Sequence, residues 1–104
     1  MRPSEDTIQR LKAEHGELYE LEVRGYAVLF RPPRRAEYRR FRALALDEQK
    51  RAEALERLTR DCVVWPAPEE FDALLERLPA LGEIIGAKLV ELAGAMEEVE
   101  IKKV

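Results

Sequence analysis

The chain has 104 residues, a formal net charge of −3, 46% hydrophobic and 38% charged residues. That length builds one modest domain with a real core, and the charge balance gives no overall pull toward nucleic acid or an anionic membrane. A lone cysteine, Cys62, excludes an internal disulfide and fits a reducing compartment, while no apolar run reaches membrane-spanning length and the residues after Met1 do not form a secretory leader; the expected location is cytoplasmic.

In chain order, Ser4 caps a short helix whose first turn carries Glu5 and Asp6. Ile8 and Leu11 lie on one face, with His15 near its end, and Gly16 stops it. His15 is the only histidine and has no ligand partners at metal-binding spacing. In Leu18–Val23, Glu20 and Glu22 alternate with Leu21 and Val23, the pattern of a half-buried strand. Arg24-Gly25 supplies a turn, and Tyr26–Phe30 returns as a second strand. Such a hairpin is marginal alone, so helices must cover it or another chain must extend it.

Pro32 and Pro33 end the second strand, and Pro33 suits the opening of a helix. The inward stripe of that helix is Tyr38, Phe41, Leu44 and Ala45. From Arg31 to Arg42 six arginines face one acid, Glu37. Asp47 interrupts the pattern. It resumes over Glu48–Cys62, with Ala52, Leu55, Leu58 and Cys62 inward and i, i+4 pairs at Asp47–Arg51, Glu53–Arg57 and Glu56–Arg60.

Val63-Val64-Trp65 reads as an apolar plug, closed by Pro66 and Pro68. A fourth helix starts at Pro68 with a stripe of Phe71, Leu74, Leu75 and Leu78. Pro79 and Gly82 break it. A strongly apolar helix follows through Leu81, Ile84, Ile85, Leu89, Val90 and Leu92, with Gly86 allowing close approach of a neighbour and Gly94 as its cap. The expected fold is α+β and mostly helical: a short N-terminal helix, a β-hairpin, then about four packed helices. Residues 1–94 form one globular domain and 95–104 a flexible or partner-dependent tail.

No nucleophile sits beside a base, and no phosphate loop or metal-ligand spacing occurs, so catalysis, cofactors and metals are not expected. Cys62 falls on an apolar stripe, where cysteine behaves as a small hydrophobe. The functional residues to weigh are the arginines. Arg35, Arg39 and Arg42 follow at i, i+4 and i+7 beside the aromatic stripe, with Arg34 just ahead. They read as a partner-binding face or, more plainly, as cations paired with the nine acids of residues 69–104 or left to solvate a helix. Trp65 is either an interface anchor or a lid on the core.

Three segments carry a family resemblance: Phe30-Arg31-Pro32-Pro33 with Arg35-Ala36-Glu37-Tyr38-Arg39-Arg40-Phe41, then Arg60-Asp61-Cys62-Val63-Val64-Trp65-Pro66, then Phe71, Leu74, Leu75, Glu76, Arg77 and Pro79. Over residues 14–94 the chain resembles small tail assembly chaperones of long-tailed phages and prophages. The resemblance implies a non-enzymatic protein of the host cell cytoplasm. Its partner would be tape measure protein, kept soluble while the tail is built. Members of that family often carry threonine where this chain has Arg34, which removes a helix cap. Self-association into a homo-oligomer is a further expectation. Two alternatives stand beside it: a nucleic-acid-binding protein using the arginine-rich helix 34–46, and a structural head or tail component.

Overall fold

The computed structural model describes residues 2–95 and 97–104. Helix α1 (Glu5–His15) is followed by strands β1 (Tyr19–Val23) and β2 (Tyr26–Phe30). Helices α2 (Arg35–Leu46) and α3 (Arg51–Cys62), strand β3 (Val63–Trp65), and helices α4 (Pro68–Arg77) and α5 (Leu81–Val90) complete it. The fold is α+β and mostly helical, with a short N-terminal helix, a hairpin and then packed helices. No helix is long and apolar enough to cross a membrane among the described residues.

Local chemistry sets the first three elements. Ser4 Oγ accepts the Thr7 N–H at 3.2 Å and caps α1. Gly16, at φ 81°, ends it by donating its N–H to Lys12 O. The hairpin turn holds both Arg24 (φ 49°) and Gly25 (φ 79°) in the left-handed region, which matches the twist of the flanking strands. Tyr19 pairs with Phe30 and Leu21 with Val28 across the hairpin, and the Tyr19 and Phe30 rings stack with centroids 6.1 Å apart.

The apolar plug expected at Val63–Trp65 is a third strand. It pairs antiparallel with β2, giving sheet order β1-β2-β3 with a register shift between Leu29 and Phe30. Two β-branched residues and an aromatic are strand formers, and the chain itself thus extends the hairpin. The sheet is covered on both sides. Val28 and Phe30 join Leu58, Cys62, Phe71, Leu74, Leu75, Leu81, Ile85 and Leu89 in the main core. On the other face Leu29 meets Ile8 and Leu11 of α1, with Leu18, Val64 and Trp65 around them. Burial from both sides explains why four successive residues of β2, Ala27–Phe30, are all buried.

Helices α3 and α5 cross closely at Gly86. A Cβ there would lie 2.6 Å from Leu55 O, so the expected close approach is real. Beside it the buried Thr59 hydroxyl contacts Gly82 O of α5 at 2.6 Å and Leu55 O of its own helix at 2.9 Å. Three details of the expected stripes differ. Ala52 is exposed, as are its neighbours Arg51 and Glu53; Ala54 and Thr59 are buried in its stead. Ile84 is exposed, since α5 meets α3 through its glycine face and Ile84 points beside it, at a shallow apolar hollow with Leu78 and Pro79. Helix α2 packs chiefly against α3 and buries no side chain fully; Tyr38, Phe41, Leu44 and Ala45 are half-buried. Beyond Gly94 (φ 103°) the described residues 97–104 are exposed and carry no helix or strand.

Candidate functional site

The double-proline junction is built on an internal ion pair. Arg31 ends the second strand and is only 7% exposed. Its guanidinium meets both oxygens of Glu37 at 2.8 and 2.6 Å, a fork matched to a carboxylate. Nη2 also donates to Asp61 O at 2.8 Å and Nη1 to Pro32 O at 3.2 Å. The Arg31 N–H donates to Cys62 O, so the junction is tied to the end of α3 through both main chain and side chain. The hydrogen bond from Arg31 holds the Glu37 carboxyl below the usual carboxylate range, and the same bond raises the Arg31 guanidinium.

Glu37 has a second task. Its Oε1 accepts the Arg34 N–H at 2.8 Å. An arginine side chain has no acceptor, so only the glutamate half of a capping box exists at this helix start. The lost cap expected at Arg34 is thereby partly replaced. Cys62 lies against the same carboxylate, Sγ to Oε1 3.8 Å, and is fully buried. Burial, with the nearby Glu37 charge, pushes its thiol up to about 12. A thiol so far from ionising is a packing group rather than a nucleophile.

The structure separates the arginines into two sets. Arg31 is internal, and Arg40 bonds Asp61 at 3.0 Å. Arg34, Arg35, Arg39 and Arg42 are exposed, and among the described residues none of their side chains has an ion-pair partner. Pairing with the acids of residues 69–104 is not what they do. That role falls to Arg60, which meets Asp72 of α4. The three i, i+4 pairs expected on α3 do not form either: Arg51 instead donates to Ala45 O, closing the α2–α3 corner. Tyr38 and Phe41 are tilted against each other with centroids 5.8 Å apart, flanking the arginine row.

Trp65 stands apart from that row. Half-buried, it packs on the α1 cluster and lines a cleft of about 280 Å³ with Tyr26, Pro66, Glu70, Leu74 and Arg77. Arg77 lies over the Tyr26 ring, 5.6 Å from its centroid, and also donates to its hydroxyl at 2.9 Å. The Trp65–Pro66 peptide is cis. Of the five sequence candidates, four share the start and outer face of α2, and the fifth lies in a different cleft.

Comparison with known proteins follows this geometry. A family model described as a domain of unknown function, DUF6848, matches residues 11–102. The chain belongs to this family. The DUF6848 match takes in the arginine row, the Arg31–Glu37 pair and the Trp65 cleft together. A solved structure of the uncharacterised protein rbstp2171 from Bacillus stearothermophilus is similar, with TM-score 0.74 and 26% identity over 91% of this chain and 99% of that one. A search of curated proteins finds no match. Sequence reasoning missed Arg31, Glu37 and Asp61 as a unit. The available signal was Glu37 itself, one acid inside a run of six arginines at the proline corner.

Proposed function

We propose that this protein is a non-enzymatic binding module, a phage or prophage tail assembly chaperone that holds tape measure protein soluble in the host cytoplasm. The observation that carries the reading is the outer face of α2. Arg35, Arg39 and Arg42 stand exposed there without ion-pair partners among the described residues, beside a half-buried aromatic pair. Cations left uncommitted within the fold are available to a charged, helix-rich client. The sequence resemblance to tail assembly chaperones names what that client is. Rim charges of this kind set encounter rate and register more than raw affinity, which suits a holdase that must release its client. Protein is favoured over nucleic acid as partner because Tyr38 and Phe41, the rings that would stack on bases, are packed on each other, and Phe41 also on the main core.

Co-expression with a candidate tape measure protein tests the reading. The wild-type chain is expected to keep tape measure protein in the soluble fraction, and R35E/R39E/R42E to lose that effect. Unchanged solubilisation by the variant would remove the face from the account. Tight, steeply salt-dependent binding to DNA or RNA would favour the nucleic-acid alternative. Abundant copies in purified particles would mark a structural component instead.

A further inference from the structure

We infer that the arginine row of α2 docks the acidic and apolar stretch 97–101, ahead of Lys102 and Lys103, of a second copy of this chain. The inference uses the face assigned above but does not depend on the identity of its client.

The row has a definite make-up. Arg35, Arg39, Arg42 and Leu46 follow at i, i+4, i+7 and i+11, so they lie along one face of the helix. All four are exposed, and Leu46 is 72% exposed despite its size. The face therefore presents three uncommitted cations that lead to an uncovered apolar side chain, with half-buried Tyr38 at its flank.

The C-terminal segment has a complementary make-up, with acidic and apolar side chains interleaved. Glu97, Glu98 and Glu100 supply three carboxylates, and Val99 (76% exposed) and Ile101 (91% exposed) supply uncovered apolar groups. Its only hydrogen bonds and ion pairs among the described residues are local, Glu97 N–H to Gly94 O and Glu100 to Lys102. The spans agree as well. Side chains alternate along an extended segment, so Glu98 and Glu100 share one face about 7 Å apart, close to the roughly 6 Å rise from Arg35 to Arg39.

Within its own chain the segment makes only these local contacts among the described residues, so a second copy is the donor. The segment does not lie on its own α2. Each copy carries one row and one segment, so two copies can exchange segments around a twofold axis and close the assembly. Once one segment is seated, the second binds at high effective concentration. A client that needs the same arginines competes with this exchange, and the free chaperone is held in a self-covered form.

Sedimentation velocity of the full chain alone, over a range of concentrations, tests the inference. The wild type is expected to self-associate reversibly and to dissociate as salt is added. Reversing the segment (E97R/E98R/E100R) or the row (R35E/R39E/R42E) is expected to weaken the Kd about tenfold or more, since exposed pairs are lost and replaced by repulsion. Combining the two sets restores association, because the charges again complement. All six positions are exposed, and circular dichroism checks that each variant is folded. A wild type that stays monomeric, or association indifferent to either reversal, overturns the inference. A monomer that still solubilises tape measure protein would leave the chaperone reading standing while removing this one.

Discussion

Replacing Glu37 with alanine is the most informative single change in this fold. The substitution strips a bidentate partner from Arg31, whose side chain is 8% exposed and keeps only two main-chain carbonyls, of Pro32 and Asp61. Removing one member of a buried pair leaves an uncompensated charge and costs about 3–5 kcal/mol. The remaining carbonyls and water reaching the vacated site place the loss near the lower end, about 3 kcal/mol. The Arg34 N–H also loses its acceptor, although that group can turn to solvent. For 104 residues, with an unfolding entropy of about 2.1 cal/mol/K per residue, 3 kcal/mol lowers Tm by roughly 14 °C. Urea unfolding followed by circular dichroism measures the loss directly. The double variant Arg31→Met/Glu37→Leu removes both charges and is expected to recover most of the stability. A loss under about 1 kcal/mol for Glu37→Ala, or a double variant no better than the single, would refute the claim that this pair clamps the corner.

Acid also acts on the clamp. Because the folded Glu37 carboxyl lies below its unfolded value, its contribution is complete above about pH 4.3 and disappears as pH falls through the folded pKa; urea titrations in acid should show a steeper decline for wild type than for Glu37→Gln. Cys62 gives the opposite slope. Its neutral thiol is favoured in the fold, so stability is complete below about pH 8.5 and falls as pH rises toward about 12, and Cys62→Ala should flatten that alkaline decline. Ellman's reagent should label Cys62 only on unfolding. Gly86→Ala should cost about 1–3 kcal/mol by thermal or urea melts, despite the roughly 1 kcal/mol gained in helix propensity, since the new methyl would meet the Leu55 carbonyl at 2.6 Å. Gly82→Ala, which would press only on the side chain of Glu56 at 3.1 Å, should cost less.

The order of elements was legible because the sequence punctuates itself. Ser4, Gly16, Arg24-Gly25, Pro32-Pro33 and Pro68 mark boundaries that appear where their backbone chemistry places them. The alternation of Glu20 and Glu22 with Leu21 and Val23 exposed one side of β1 and half-buried the other, as its period requires. Val63–Trp65 was not legible as a strand, because three apolar residues carry no period and their pairing with Leu29 and Phe30 is a long-range contact. Arg35, Arg39 and Arg42 could be placed on α2 from spacing alone. Whether each was committed could not, since side chains of equal charge and similar spacing diverge once tertiary partners arrive: Arg31 turns inward to Glu37, Arg40 to Asp61, and Arg39 to solvent. Trp65 resisted assignment for the same reason. It both lids the α1 cluster and borders a cleft.

Helix α2 is attached by a clamp at one end and a half-buried stripe along its length, and it contributes no fully buried side chain. The element bearing the outward arginines is therefore the α-helix the core needs least. Substitutions along Arg35, Arg39, Arg42 and Leu46 can change this outer face while leaving Val28, Leu58, Ile85 and Leu89 undisturbed. Hydrogen exchange would register the same division as early opening of α2 ahead of α3 and α5. The scaffold and this outer face can vary independently of one another, with Glu37 as the hinge-pin between them.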